Sequence, residues 1–125
     1  MAFLFFLFGI PHDNAAVNRR LELYVFTSVD CGPCKQFKKD YAEGKDGLQK
    51  YINTYFAKNR DKYYFEVGWT EQGWSNKEIV IEYEKVTGHS IGGVPLFWVR
   101  GRSWSLGGYS QPRDVLEYLS KGRKR

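Results

Sequence analysis

Hydrophobic and polar positions follow strand-like and helix-like patterns in turn along most of the chain. Runs rich in β-branched and aromatic residues predict strands, at residues 21–27, 62–69, 96–99 and 104–106. Runs with apolar residues every three or four positions predict helices, at residues 35–41, 48–56, 76–87 and 110–120. The order of these elements predicts an α/β domain, with helices covering a central sheet.

The helix predicted at residues 76–87 has the clearest end signals. Ser75 and Glu78 have the spacing of a capping box, with Ser75 as the N-cap. Ile79, Tyr83 and Val86 then share one predicted buried face, and Gly88 ends the helix.

The first twenty residues need a separate interpretation. Residues 1–8 are an unbroken apolar run, which predicts a buried strand, and residues 12–20 predict a short helix or loop with Asp13 as a possible N-cap. A secretory signal or a weak membrane contact is the alternative. It is not favoured, because Arg19 and Arg20 follow the apolar run instead of preceding it. We therefore expect a cytoplasmic protein.

Composition supports one domain with a substantial core. The chain has 125 residues, of which 42% are hydrophobic and 18% aromatic. Its net charge of +5 owes much to the basic tail, residues 121–125, so the charge balance does not favour a nucleic-acid partner. We expect a monomer with a main domain at residues 21–120, preceded by the segment 1–20 and followed by the tail.

The two cysteines of the chain lie in one motif, Cys31-Gly32-Pro33-Cys34, between a predicted strand and a predicted helix. At a helix start, unpaired N–H groups and the helix dipole lower the pKa of the Cys31 thiol and favour its thiolate. Cys34 is placed to resolve the mixed disulfide that Cys31 forms. The spacing therefore predicts a redox pair rather than a structural disulfide.

A metal site is the other interpretation of two close cysteines. Zinc would need two further ligands, and His12 and His89 are far from the motif in sequence. We therefore predict no metal, and we interpret His89 as a capping or surface residue after Gly88.

Two further motifs extend the pattern. Gly93-Val94-Pro95 directly precedes a predicted strand, and Gly107-Gly108 precedes the last helix. With the cysteine motif, they make residues 21–120 resemble the thioredoxin superfamily. The resemblance implies a thioredoxin fold: a mixed sheet of four to five strands flanked by helices, here with an extra helix inserted at residues 44–60. It also implies a cis peptide bond at Val94-Pro95 and a substrate groove formed by Gly32, Pro33, Gly93, Val94, Pro95, Gly107, Gly108 and Tyr109.

The chain departs from the thioredoxin pattern around the cysteines. Val25 stands where thioredoxins usually carry a buried aspartate that accepts a proton from the resolving thiol. Asp30 stands where the usual residue is tryptophan, and its charge would oppose formation of the Cys31 thiolate. Lys35 is the second residue that we expect to modulate the thiol pKa. Residues 24–27 and 106–110 look closer to glutaredoxins.

The expected function is reduction of disulfides in other proteins, with no bound cofactor besides the redox-active disulfide. A flavin-dependent thioredoxin reductase is the expected electron donor, and glutathione, as used by glutaredoxin-like proteins, is the alternative. A second alternative is a binding or structural subunit that uses the inserted helix and the basic tail as its interface. Trp69 and Trp74 are candidates for part of a partner surface.

Overall fold

A computed structural model describes residues 20–59 and 61–121 of the chain. The strand predicted at residues 1–8, nearly all of the segment 12–20 and the tail after Lys121 lie outside the described residues. Within the described ranges, none of the helices is both long and apolar enough to cross a membrane.

The described ranges contain one mixed sheet of five strands. In chain order these are β1 (Leu23–Ser28), β2 (Phe65–Thr70), β3 (Gly73–Trp74), β4 (Leu96–Val99) and β5 (Leu106–Gly107). Their order across the sheet is β3-β2-β1-β4-β5, with β1 parallel to β2 and antiparallel to β4. Five of the six residues of β1 are buried. The near-continuous apolar run is therefore explained by a central strand that is covered on both faces.

Four α-helices accompany the sheet: α1 (Gly32–Ala42), α2 (Leu48–Tyr55), α3 (Lys77–Thr87) and α4 (Pro112–Lys121). The first three lie in connections between strands, and α4 follows the last strand. The parallel pairing of β1 with β2 needs a long crossover, which α1 and α2 supply. α2 lies inside the range 44–60 predicted for the extra helix, but it is shorter than predicted and covers Leu48–Tyr55. Gly44 and Gly47 separate it from α1, and both adopt positive φ angles that other residues rarely tolerate.

The core has one layer on each face of the sheet. Alternate residues of β1 point to opposite faces, so Leu23 and Val25 belong to one layer and Tyr24 and Phe26 to the other. The first layer packs against α1, α2 and α4, and the second packs against α3. The predicted fold class, an α/β sheet flanked by helices, is confirmed.

The N-cap of α3 differs from the prediction. Asn76 is the cap, because its side-chain oxygen accepts the N–H of Ile79 at 3.2 Å. Ser75 instead accepts the N–H of Gly68 at 3.0 Å, which ties the hairpin to the sheet. The capping box with Ser75 was wrong because this contact outside the helix uses the serine hydroxyl.

The buried face of α3 also differs in part. Ile79 and Tyr83 are buried as predicted, but Val86 is 38% exposed. Val80 is buried as well, which shifts the apolar stripe of the helix and leaves Val86 at its margin. Gly88 ends the helix in a left-handed conformation (φ 76°), as predicted.

The last strand lies further along the chain than predicted. The pattern indicated residues 104–106, whereas β5 is Leu106–Gly107. The carbonyl of Trp104 accepts a hydrogen bond from the Tyr118 hydroxyl at 3.0 Å, and their ring centroids are 4.7 Å apart. Trp104 is thus bound to α4 rather than to a neighbouring strand.

The strand predicted at residues 62–69 begins later, at Phe65. Lys62 and Asn59 exchange backbone hydrogen bonds of 2.9 and 3.3 Å in a local bridge. Lys62 therefore belongs to the turn before β2. The strand propensity of the residues that follow it in the sequence gave no sign of this turn.

We expect Phe37 to be a principal anchor of α1 on the sheet. It is fully buried, with its ring centroid 4.9 Å from that of Phe97 on β4. Phe37→Ala should lower the free energy of unfolding by about 3–5 kcal/mol, because it leaves a cavity. Urea unfolding measures this change. Ile81→Ala, at a position 53% exposed on α3, is the control and should change stability by less than about 0.5 kcal/mol. Equal losses in the two variants would contradict the assignment.

Candidate redox site

Cys31 and Cys34 form a disulfide at the start of α1, with their Cα atoms 5.2 Å apart. Cys31 is the N-cap, in an extended conformation, and its sulfur accepts the backbone N–H of Cys34 at 3.1 Å. Pro33 lies in the first turn, where its missing N–H has no cost and its fixed φ suits the helix. The predicted position of the pair at a helix start is confirmed.

The two cysteines differ only slightly in exposure. Cys31 is 6% exposed and Cys34 2%. Both cysteines are therefore buried, and Cys31 is the more accessible of the two. Gly32 and Pro33, between them, are exposed. A partner molecule would meet these two residues beside the disulfide.

The loop before β4 lies at the same end of the sheet as the disulfide. Phe26 on β1 pairs with Leu96 on β4 in antiparallel register. Residues preceding Leu96 therefore lie beside the end of β1 that leads to Cys31. The Val94-Pro95 bond in this loop is cis, as predicted, and Gly93 just before it is exposed.

The double glycine lies next to this loop. Leu96 pairs with Gly107, and the N–H of Gly108 donates to the Pro95 carbonyl at 2.8 Å. Gly108 has φ 86°, a conformation that favours glycine, and both glycines are exposed. The sheet thus brings together the cysteine helix, the cis-proline loop and the double glycine, which are far apart in sequence.

Tyr109, predicted to contact substrate, packs toward α1. Its ring centroid is 5.6 Å from that of Phe37 and 6.2 Å from that of Phe97, and its hydroxyl donates to the carboxylate of Asp40. Burial, assisted by the negative charge of Asp40, raises the pKa of Tyr109 above its usual range. Its contact with substrate stays a prediction.

Asp30 and Lys35, the two predicted modulators of the thiol pKa, are both exposed. They flank the motif, and the backbone N–H of Lys35 donates to the Cys31 carbonyl at 3.2 Å. Their effect on the thiols stays a prediction.

Exposed apolar side chains lie at the same end of the sheet. Trp69 pairs in register with Ser28 and is 45% exposed, and the adjoining Val29 is 63% exposed. Trp74 instead packs edge-on against Phe26, with centroids 5.9 Å apart. Of the two tryptophans considered for a partner surface, Trp69 is thus the one more open to solvent at this end.

Comparison with known proteins agrees with this geometry. A family model described as a thioredoxin-like domain matches residues 13–123. This chain belongs to that thioredoxin-like family. A solved thioredoxin-fold protein from Helicobacter pylori is similar at 20% sequence identity and a TM-score of 0.56, over 82% of this chain and 68% of that one. This likeness concerns the fold.

No curated protein matches the sequence. A thioredoxin-like domain with a Cys-x-x-Cys pair supports a thiol–disulfide oxidoreductase-like role in general.

This thioredoxin-like domain has a fully buried valine, Val25, where the resemblance places an aspartate. The register partner of Val25 on β2 is Glu66, which accepts the Thr27 hydroxyl at 2.7 Å and pairs with Lys38 at 2.6 Å. Partial burial works to raise the pKa of Glu66, but the hydrogen bonds from Lys38 and Thr27 hold it below its usual value. Glu66 is therefore an ionised, partly exposed carboxylate rather than a buried proton acceptor.

Among the residues that the structure describes, the buried carboxylate is Asp40, which sequence reasoning missed. Asp40 is 3% exposed and accepts hydrogen bonds from Tyr109 and, at 2.8 Å, from Gln36. The Tyr109 hydrogen bond is the main cause that lowers the pKa of Asp40. A signal was present, because Asp40 lies three residues after Phe37 and therefore on the apolar face of α1.

The stability of the domain should fall in acid partly through Asp40. Its folded-state pKa lies below the ordinary 3.8, so the ionised form stabilises the fold above about pH 4. This contribution is lost as the pH falls through the folded-state pKa. We expect Asp40→Asn to be less stable at neutral pH and to lose less stability on acidification. Urea unfolding at a series of pH values measures both effects.

A control for the change in net charge is Glu71→Gln, at an exposed carboxylate between β2 and β3. A stability profile for Asp40→Asn that runs parallel to that of the wild type at all pH values would show that Asp40 does not contribute in this way.

Proposed function

We propose that this protein reduces disulfide bonds in other proteins through the Cys31–Cys34 couple. The proposal rests on the position of the pair. The two cysteines lie at the start of α1, and this is the end of the sheet where the cis-proline loop and the double glycine meet. The exposed backbone of Gly93, Gly107 and Gly108 supports binding of an extended substrate chain at this end.

The reaction begins from the reduced dithiol. The Cys31 thiolate attacks one sulfur of the substrate disulfide, forms a mixed disulfide and releases the first substrate thiolate. Cys34, as thiolate, then attacks the Cys31 sulfur and releases the second substrate thiolate. The two protons that the Cys31 and Cys34 thiols lose balance the two that the released substrate thiolates gain. Two electrons pass to the substrate, and the Cys31–Cys34 disulfide closes.

The geometry supports unequal roles for the cysteines. The sulfur of Cys31 already accepts the N–H of Cys34, and this contact would stabilise a thiolate on Cys31. Cys34 is the more buried and lies inside the first turn. Cys31 therefore suits attack on a bulky disulfide, and Cys34 suits the intramolecular step.

Single cysteine variants test these roles. Cys31→Ser should abolish reduction of an insulin-like protein disulfide, because no attacking thiolate remains. Cys34→Ser should stop turnover after the first step and accumulate a covalent mixed disulfide with the substrate. Mass spectrometry without added thiol detects this adduct. Equal trapping by both variants would show that the roles are wrongly assigned.

The electron donor that we propose is a flavin-dependent thioredoxin reductase. Glutathione-binding proteins of this superfamily offer a cation just before the first cysteine, whereas residues 28–30 here are Ser28, Val29 and Asp30. An anion at this point opposes the carboxylates of glutathione. The cytoplasmic location expected from the sequence fits a reductant, but it stays a prediction.

One structural observation favours glutathione as the second candidate. Asp114, in the first turn of α4, lines a cleft of about 250 Å³ together with Gly107, Gly108 and Tyr109. A carboxylate in this cleft has the charge to hold an ammonium group.

Supplying each donor separately distinguishes the two. We expect NADPH with a thioredoxin reductase to reduce the Cys31–Cys34 disulfide rapidly, and millimolar glutathione to reduce it slowly. Thiol release from the oxidised protein gives both rates. Two results together would contradict this proposal: rapid reduction by glutathione that Asp114→Asn slows, and no reduction by the reductase. They would show that glutathione is the electron donor, as in glutaredoxins.

A further inference from the structure

The segment after the double glycine is tied to the helix that carries the cysteines. The hydroxyl of Tyr109 donates to the carboxylate of Asp40 on α1, and its ring packs against Phe37 of the same helix. Just before it, the N–H of Gly108 donates to the Pro95 carbonyl. Tyr109 therefore links the double glycine to α1, while Gly108 links it to the cis-proline loop.

We propose that Tyr109 and Asp40 act as positioning residues, forming a clamp that holds the Gly107-Gly108 edge at a fixed distance from the cysteine helix. The inference rests on the proposed function, since its purpose is to preform the groove in which a protein disulfide binds. A groove that is already formed loses less conformational entropy when the substrate binds, and this raises the affinity.

The double glycine has little else to hold it. The two glycines have no side chains to pack, and both are exposed. β5 consists of Leu106–Gly107 alone, so its pairing with β4 covers two residues. Such a short, exposed edge opens easily unless the next residue is anchored. Tyr109 is that residue.

The anchor is strong because its acceptor is charged and buried. Asp40 is 3% exposed, and a carboxylate with so little access to water depends on its protein donors, which are Tyr109 and Gln36. Removing the Tyr109 hydroxyl therefore leaves both an unanchored edge and an undersatisfied carboxylate.

The chain offers a matched control in Tyr41. This tyrosine is also half-buried, also packs against Phe37, and donates its hydroxyl to the Asn53 side chain at 2.7 Å. Its hydrogen bond joins α1 to α2, away from the double glycine. Tyr41→Phe thus removes a comparable tyrosine hydrogen bond without touching the proposed clamp.

The functional test compares KM values. With an insulin-like protein disulfide, Tyr109→Phe should raise KM about tenfold with little change in kcat, since a lost hydrogen bond to a charged group is worth roughly this factor. The effect on a small aromatic disulfide should be weaker, because such a substrate has no chain to lay along the groove. Tyr41→Phe should leave KM for both substrates unchanged.

A double-mutant cycle separates a clamp from direct contact between Tyr109 and substrate. If the hydroxyl acts through Asp40, Asp40→Ala should raise KM as much as Tyr109→Phe does, and the double variant should add little. A rise in KM for Tyr109→Phe alone, with none for Asp40→Ala, would overturn the clamp in favour of direct contact.

Amide hydrogen exchange at Gly108 tests the clamp without any activity. The N–H of Gly108 is protected by its bond to Pro95, and it should exchange about tenfold faster in Tyr109→Phe but not in Tyr41→Phe. Unchanged exchange would overturn the proposal. Faster exchange without a rise in KM would overturn its role in substrate binding. If the wild type reduces no disulfide, the proposed function fails and exchange alone decides on the clamp.

Discussion

The packing of Phe37 against Phe97 is the contact on which the candidate site depends. Phe37 lies one turn after Cys34, and Phe97 lies on β4 two residues after the cis-proline. A fully buried ring pair allows little relative movement. The contact that fixes α1 on the sheet therefore also sets the distance between the disulfide and the loop that faces it.

The polar groups around this core differ from the thioredoxin pattern. Position 25, where the thioredoxin pattern has an aspartate, is a fully buried valine. A buried carboxylate, Asp40, lies instead in the second half of α1, where Tyr109 and Gln36 satisfy it. The described residues include no buried side-chain nitrogen or oxygen without a hydrogen-bond partner. The burial of Asp40 is thus consistent with a stable core.

Sequence reasoning succeeded where the signal lies within a few residues. The helix start at Cys31, the helix end at Gly88 and the strand at Leu96–Val99 each depend on neighbours in the chain. It failed where two local solutions compete, as at Ser75 and Asn76. Either side chain has the chemistry to cap α3. The hydroxyl of Ser75 instead accepts the N–H of Gly68, so Asn76 is the cap. A contact outside the helix decided which neighbour became the cap.

The sequence by itself determined the fold family, the position of the cysteine pair and the loops that accompany it, because each is encoded by glycine, proline or cysteine at a characteristic spacing. Only the tertiary structure decided that Tyr109 meets Asp40 across 69 residues of chain, and that Asp114 reaches the cleft beside the double glycine. Neither the contact between Tyr109 and Asp40 nor the position of Asp114 beside the cleft is marked by a periodic or local pattern in the sequence. The position of Tyr109 follows from the register of β5 on β4, and that register is set by strand pairing between residues distant in sequence.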